Sequence, residues 1–266
     1  MRSDFSDWLE AWFRKLKPSS FRDLKIDPGK TALVSVDMVK GFCSVGPLAS
    51  PHIAAIIPEV TAVFRKCHKS GIKHFLLFQD THHPETPEFS SYPPHCLRGS
   101  RESETVDELK SLPFSGQFTI FEKNSISPQY NTGFDGWLEK HPEIDTFIIV
   151  GNCTDLCVYF HAMHLRLSAN AANLKRRIIV PEAAVQTYDM LVATAQKIGA
   201  LPHDRILLHK IFLYHLSLNG IEVVASLDLK KSKRRGKSVY GLFNAVNATE
   251  KHIEEVFLSL KSLDKI

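Results

Sequence analysis

The chain lacks a long hydrophobic run and the leader pattern of a secreted protein. A membrane-spanning helix needs about 18 or more consecutive, mostly apolar residues, and the sequence contains no run of that length. The first residues include Asp4, Asp7 and Glu10 instead of a basic segment followed by an apolar one, which does not fit a secretory signal. We therefore expect a cytoplasmic protein with no membrane partner.

Cysteine spacing argues against two further classes of protein. The five cysteines are an odd number, and no two of them are separated by only two residues. A CxxC pair is typical of zinc ribbons and thioredoxin-like redox proteins, and an even set of cysteines is typical of small secreted folds. The sequence therefore predicts free thiols, and the question becomes which of them reacts.

Net charge is also small, at +4 in 266 residues. Much of the excess lies in one basic run at 230–237, which contains no aromatic residue. Proteins that bind single-stranded nucleic acid combine basic side chains with aromatic ones on which the bases stack. We interpret the run as a solvated connector and expect no nucleic-acid partner.

Short apolar or β-branched runs alternate with longer helical patterns along the chain. The strand candidates are Thr31–Asp37, His74–Asp80, Gln117–Lys123, Asp145–Gly151 and Arg177–Pro181, with weaker ones at Arg205–His209 and Ile221–Val224. The helical patterns are Ile53–Ser70, Gly133–Lys140, Thr154–Ala172 and Asp189–Ile198. Such alternation is typical of a parallel sheet covered on both faces. The sequence predicts the α/β class, a three-layer sandwich with a mainly parallel central sheet flanked by helices.

Both ends of the chain carry patterns outside this alternation. An apolar stripe at residues 5–16 predicts an N-terminal helix that docks on the domain or on a second subunit of a homo-oligomer. Near the C-terminus, Asn247 and Glu250 have the spacing of a capping box ahead of another helix. We therefore divide the chain into an N-terminal helical extension (1–26), a main domain (27–226) and a basic connector with a C-terminal helix (227–266).

Reactive side chains follow four of the predicted strands. Asp37, Asp80 and Lys123 end the first three strands, and Cys157 lies after the turn that follows the fourth. In an open parallel sheet, ligands bind at the carboxyl ends of the strands. We therefore expect these four side chains to lie close together.

Cys157 has the setting of a nucleophile. It is predicted to lie near a helix N-terminus, where the helix dipole and a nearby Lys123 would lower the pKa of its thiol. Asp37 would take the thiol proton and later return it to a leaving amine. The alternative interpretation of Cys157 is a buried structural cysteine.

The segment after the second strand has the composition of a metal site. Asp80 and His82 alternate along extended backbone and so face the same way, and His95 follows a loop stiffened by Pro93 and Pro94. Two imidazoles and a carboxylate suit one divalent metal ion, zinc first, with iron or manganese as alternatives. The other interpretation is a histidine-rich surface loop.

Three motifs in this chain match a known pattern. Asp37 begins Asp-Met-Val-Lys-Gly-Phe, Lys123 begins Lys-Asn-Ser-Ile-Ser, and residues 151–158 read Gly-Asn-Cys-Thr-Asp-Leu-Cys-Val. Over roughly residues 30–200, the chain resembles the isochorismatase-like cysteine hydrolase superfamily, and within it the nicotinamidases (pyrazinamidases). The resemblance implies a catalytic triad of Asp37, Lys123 and Cys157.

The resemblance also implies roles for residues around this triad. The metal ligands would be Asp80, His82 and His95, with Glu88 at a position where some members add a carboxylate, and the walls of the substrate pocket would be Phe42, Tyr92 and Tyr130. A cis peptide would join Asn152 to Cys153, and the backbone amides of Cys153 and Cys157 would form an oxyanion hole. Asn152 is more polar than the aliphatic residue common at its position.

The activity implied by the resemblance is hydrolysis of nicotinamide to nicotinic acid and ammonia through a cysteine thioester. The nearest alternative is an enzyme of the same superfamily that acts on another small amide, of carbamoyl or ureido type. A second is a binding protein that keeps the fold without turnover. A third is a metal-dependent hydrolase in which cysteine has no role.

Overall fold

A seven-stranded parallel sheet forms the centre of the computed structural model, which describes residues 3–229. The basic run at 230–237 and the predicted C-terminal helix lie outside the described residues. The strands of this sheet are β2 (Thr31–Val36), β3 (His74–Asp80), β4 (Phe118–Lys123), β5 (Thr146–Asn152), β6 (Arg177–Pro181), β7 (Val185–Gln186) and β8 (Glu222–Val224). A separate two-stranded sheet pairs β1 (Ser19–Ser20) with β9 (Leu227–Asp228). The strand order of the large sheet is β4-β3-β2-β5-β6-β8, with β7 beside β5.

Helices connect these strands and cover the sheet. Their bounds are α1 (Ser3–Arg14), α2 (Lys40–Cys43), α3 (Pro51–Ala54), α4 (Ile57–Ser70), α5 (Asp107–Lys110), α6 (Phe134–Lys140), α7 (Cys157–Ala171), α8 (Val192–Ile198) and α9 (Arg205–Leu218). Short 3₁₀ turns occur at Pro28–Lys30, Pro87–Ser90, Arg101–Ser103, Ser115–Gln117 and Glu182–Ala184. No helix of residues 3–229 is long and apolar enough to cross a bilayer.

Two apolar clusters, one on each face of the sheet, make up the core. On one face, Leu33 and Phe75 pack with Val63 and Phe64 of α4. On the other, alternate residues of the same strands pack with α7 and α9. Successive residues of a strand point to opposite faces, so strands buried on both sides read as continuous apolar runs. The predicted three-layer α/β sandwich is therefore confirmed.

Strand register brings the predicted site residues together at one end of the sheet, where the strands have their carboxyl ends. Asp80 is the register partner of Lys123, Val36 that of Gly151, and β2 and β3 are neighbours throughout. Because the strands are parallel, their carboxyl ends all lie at this end. The residues that follow β2, β3, β4 and β5 therefore converge.

One predicted element is wrong. Residues 205–209 belong to the start of α9 and do not form a strand. Asp204 caps this helix, because its side chain accepts a hydrogen bond of 2.9 Å from the Leu207 amide. A short apolar run cannot be assigned to helix or strand by periodicity alone, and the capping aspartate is the signal that decides it.

The N-terminal helix docks on the domain. Leu9 and Phe13 of α1 are buried, and Trp8 and Trp12 contact Tyr214 of α9 through edge-on ring pairs. Trp8 stays 49% exposed. The structure thus shows that α1 docks on the domain. Self-association and the domain boundaries at residues 26 and 226 stay predictions. The β1–β9 pair joins a strand from the predicted N-terminal extension to one from the predicted C-terminal segment.

Candidate active site

Asp37 directly follows β2 and is held in an uncommon backbone conformation. Its φ of +51° lies in the left-handed region, which non-glycine residues seldom adopt. The Asp37 amide donates to the carbonyl of Phe78 at 2.8 Å, and its Oδ1 accepts from the Asp80 amide at 2.8 Å. The side chain is fully buried. These contacts fix the carboxylate at the edge of the sheet.

Lys123 links the other predicted residues. Its Nζ lies 2.8 Å from Oδ2 of Asp37 and 3.5 Å from Sγ of Cys157, and it also hydrogen-bonds Oδ1 of Asp80. Burial lowers the pKa of this ammonium, but the surrounding Asp37, Asp80 and Cys157 raise it well above its usual range. Lys123 therefore stays charged while it is almost completely buried.

Cys157 is the first residue of α7 and ends the turn formed by residues 151–157, here named the nucleophile turn. The peptide between Asn152 and Cys153 is cis, as the resemblance implies. Gly151 at the start of the turn has a φ of +116°, and a Cβ there would lie 2.0 Å from the Val36 carbonyl oxygen. Only glycine allows this approach of the nucleophile turn to β2.

The thiol of Cys157 does not have the lowered pKa that the sequence predicts. Burial raises the pKa well above its usual value, Lys123 lowers it, and the carboxylates of Asp37 and Asp80 raise it again. The predicted influence of a helix N-terminus and a lysine is therefore outweighed in this arrangement. The thiol of Cys157 at rest is therefore protonated, and it would need a base in order to act as a nucleophile.

Asp37 has the properties of that base. Burial, with the charge of Asp80, raises its pKa to about 6, while Lys123 and a hydrogen bond with Cys157 act in the opposite direction. A carboxylate oxygen of Asp37 lies within 4.8 Å of Sγ of Cys157. A group that accepts and returns a proton works best when its pKa is near the working pH. Asp37 thus lies near enough to Cys157 to serve as a proton acceptor for its thiol.

Asp80, His82 and His95 form a second buried group beside this cluster. One donor atom from each lies within 4.8 Å of the other two. Nε2 of His82 is 3.5 Å from Oδ1 of Asp80, and Nε2 of His95 is 3.9 Å from Oδ2 of the same carboxylate. Burial raises the pKa of Asp80, but Lys123 and the two histidines lower it below its usual range. The carboxylate is therefore ionised.

The hydrogen bonds of the two imidazoles fit metal ligation. Nδ1 of His95 lies 2.9 Å from the Pro93 carbonyl, and Nδ1 of His82 lies 3.3 Å from Oδ1 of Asn124. A proton on each Nδ1 leaves a lone pair on each Nε2, the ring nitrogen nearer Asp80, and a histidine that binds a metal usually donates its other ring N–H in this way. Nε2 of His82 is buried without a hydrogen-bond partner among the described residues, which a metal ion would supply.

Glu88 lies at the margin of this group. Its Oε1 is 3.9 Å from Nε2 of His82, and its side chain is 16% exposed. It belongs to the 3₁₀ turn at Pro87–Ser90 and is not part of the compact set of three. Its role as an additional ligand stays a prediction.

The predicted pocket aromatics are placed unequally. The Phe42 ring is buried, with its centroid 5.6 Å from that of His95, and the Tyr92 ring lies 6.4 Å from His95. Tyr130 is 65% exposed. The structure thus brings Phe42 and Tyr92 close to His95 and leaves the Tyr130 side chain largely in solvent.

Two histidines that sequence reasoning missed anchor the nucleophile turn. Nε2 of His203 lies 2.7 Å from Oδ2 of Asp155, and its ring stacks on Tyr188 with centroids 3.9 Å apart. Nδ1 of His209 lies 2.9 Å from Oγ1 of Thr154. The Thr-Asp pair of the motif was visible in the sequence, but its partners are some fifty positions away and no local pattern marks them.

Comparison with known proteins assigns this arrangement to a family. The family model described as the isochorismatase domain matches residues 31–192, more than half of the chain. The matched stretch contains Asp37, Lys123 and Cys157. The chain belongs to the isochorismatase domain family.

Two curated relatives are similar to this chain over most of their own length. Nicotinamidase 1 of Arabidopsis thaliana is 31% identical over 219 residues, which cover 74% of this chain and 86% of the plant protein. The nicotinamidase/pyrazinamidase of Mycobacterium tuberculosis is 29% identical over 184 residues, covering 62% of this chain and 92% of the bacterial protein.

A solved structure shares the fold of this isochorismatase domain. The pyrazinamidase of Pyrococcus horikoshii, crystallised in complex with zinc, superposes with a TM-score of 0.57. The match covers 73% of this chain and 98% of that protein at 20% sequence identity. At that identity the similarity concerns the fold alone.

Proposed function

We propose that this isochorismatase-family protein is a cysteine-dependent amidase that hydrolyses nicotinamide to nicotinic acid and ammonia. The observation that carries the proposal is the contact of Lys123 with both Asp37 and Cys157, beside the buried group of Asp80, His82 and His95. The curated relatives named nicotinamidase support the choice of substrate.

In the proposed first step, Asp37 takes the Cys157 proton and the sulfur attacks the carboxamide carbon. A C–S bond forms, and Asp37 passes the proton to the amide nitrogen as the C–N bond breaks. Ammonia leaves, and the acyl group remains on Cys157 as a thioester. The high pKa of the thiol makes this base necessary, and the pKa of Asp37 near 6 suits both proton transfers.

In the proposed second step, Asp37 removes a proton from water, which attacks the thioester carbon. The C–S bond breaks, nicotinic acid leaves, and the proton returns to the sulfur. Lys123 compensates the negative charge that passes between Asp37 and Cys157 in both steps. The amides of Cys153 and Cys157 would hold the oxyanion, and loss of one such donor typically costs about 3 kcal/mol of transition-state stabilisation.

Phe42 and Tyr92 would hold the aromatic ring of the substrate next to the cysteine. Their closeness to His95 puts an apolar wall beside the proposed metal ligands Asp80, His82 and His95. A divalent metal bound by those three residues would supply a Lewis-acid contact for the pyridine nitrogen. We propose zinc, because imidazole and carboxylate donors suit it; iron and manganese accept the same donors.

The proposal is tested by measuring ammonia release from nicotinamide with the purified full-length chain. Cys157→Ala should remove turnover completely and preserve the fold, as judged by circular dichroism. Cys67→Ala is the matched control, because Cys67 is an equally buried cysteine within α4. It should keep wild-type turnover.

Two results would reject the proposal. One is residual turnover in Cys157→Ala above that of a heat-inactivated sample. That result would favour a metal-dependent hydrolase in which cysteine has no role. The other is a metal-loaded protein that releases ammonia from a carbamoyl or ureido amide and not from nicotinamide.

A cytoplasmic location and self-association through α1 are further proposals. Size-exclusion chromatography with light scattering would test self-association.

A further inference from the structure

A second group of side chains that could hold a metal ion lies at the amino ends of the strands, opposite the candidate active site. His74 is the first residue of β3, and His141 and Glu143 lie in the connection between α6 and β5. One donor atom from each lies within 4.8 Å of the other two. Asp80 lies six residue steps along the same extended strand from His74, a distance of roughly 20 Å. The group is therefore separate from the proposed catalytic metal ligands.

The donor chemistry of this group matches a transition-metal site. Nδ1 of His141 lies 3.1 Å from Oε1 of Glu143, and the imidazole centroids of His74 and His141 are 4.9 Å apart. Metal–ligand bonds of about 2.0–2.1 Å place neighbouring donors of a tetrahedral site roughly 3.3 Å apart. The Glu143 side chain is 51% exposed, so it can rotate by the small amount that closure around an ion requires.

The imidazole of His74 is also free to ligate a cation. Within residues 3–229, neither ring nitrogen of His74 makes a hydrogen bond, so a lone pair of this imidazole is available.

Trp137 gives the group an apolar backing. The centroid of its ring lies 4.3 Å from the centroid of the His141 ring and 5.6 Å from that of the His74 ring. An apolar wall on one side of a site excludes water from that side and strengthens the metal–ligand interaction. The remaining coordination positions would face solvent.

We propose that His74, His141 and Glu143 bind a divalent transition-metal ion, Zn²⁺ by preference, independently of the active site. The ion would join the start of β3 to the α6–β5 connection. Because it binds the folded chain, it would raise the melting temperature as its concentration increases. It would have no part in turnover.

Equilibrium dialysis of the metal-free full-length protein against Zn²⁺, followed by elemental analysis, tests the proposal. Wild type should bind two equivalents, His141→Ala one, His82→Ala one, and the double variant none. His215→Ala is the control, because His215 is an exposed histidine on α9; it should bind two. Wild type binding a single equivalent, or His141→Ala binding two, would overturn the proposal.

Co²⁺ gives a readout that depends on neither turnover nor stoichiometry. In a His82→Ala background, Co²⁺ should quench Trp137 fluorescence and produce visible d–d absorption. Glu143→Gln changes an exposed side chain, with little risk to folding, and should weaken this response at least about tenfold. An unchanged Co²⁺ titration in Glu143→Gln would count against the site.

Discussion

The side-chain amide of Asn152 donates a hydrogen bond of 2.7 Å to the backbone carbonyl of Asp37. The two residues are 115 positions apart in the chain and are both buried. This bond connects the end of β5 to the residue whose carboxylate contacts Lys123. Together with the hydrogen bond that the Asp37 amide donates to the Phe78 carbonyl, it holds the uncommon positive φ of Asp37. We infer that Asn152 is a positioning residue for the proposed base.

Asn152→Leu should lower kcat for nicotinamide about tenfold, which corresponds to about 1.4 kcal/mol, while KM stays close to wild type. The substitution keeps the approximate size and leaves the Asp37 carbonyl without its donor, at about 1–3 kcal/mol. Steady-state kinetics measures the two constants separately. Asn170→Leu, at an exposed position of α7, is the control. An unchanged kcat in Asn152→Leu would show that Asp37 does not need this bond.

Lys123→Met should destabilise the protein strongly. Removal of one partner from a buried ion pair costs about 3–5 kcal/mol, and here two buried carboxylates, Asp37 and Asp80, lose their common counter-ion. Urea denaturation measures the free energy of unfolding. Lys66→Met is the control, because the ion pairs of Lys66 with Glu59 and Asp228 are partly exposed to solvent. Such pairs contribute about 1 kcal/mol or less. Equal losses in the two variants would contradict the prediction.

His82→Ala should bind one equivalent of metal fewer than wild type and lose at least about tenfold in kcat/KM for nicotinamide. Chelator treatment of wild type should produce a similar loss of activity, and added Zn²⁺ should reverse it. His83→Ala provides the control, since this neighbouring histidine is exposed. Full activity in the chelated wild type would remove the metal from the proposed mechanism and favour a carbamoyl-type amidase.

The pocket aromatics should differ in their effect on substrate binding. Phe42→Leu should raise KM for nicotinamide about threefold to tenfold, because an aromatic pair contributes about 0.5–1.5 kcal/mol beyond its buried area. Tyr130→Leu should change KM less than about twofold, because the Tyr130 ring is mostly in solvent. An equal increase in KM for both variants would contradict this expectation and support the prediction from the sequence that Tyr130 forms part of the pocket wall.

The sequence determined six of the seven strands of the large sheet and the residues at their ends, and it missed the two-residue strand β7. Continuous apolar runs such as Phe147–Val150 are recognisable because a strand buried on both faces has no polar side. The order of the strands, with β2 between β3 and β5, then brings Asp37, Lys123 and Cys157 to one edge. The strands and the meeting of their carboxyl ends were predictable from local pattern and from a general rule of parallel sheets, whereas the order of the strands was not predicted.

Only the tertiary structure decided the properties that depend on burial and on distant partners. The pKa of Cys157 is raised by desolvation that no helix-end pattern reveals, and Asn152 reaches Asp37 across 115 positions. His74 and His141 come together only because β3 begins beside the α6–β5 connection. A sequence specifies which groups exist, whereas the free energy of a charge or a hydrogen bond depends on what the fold places around it.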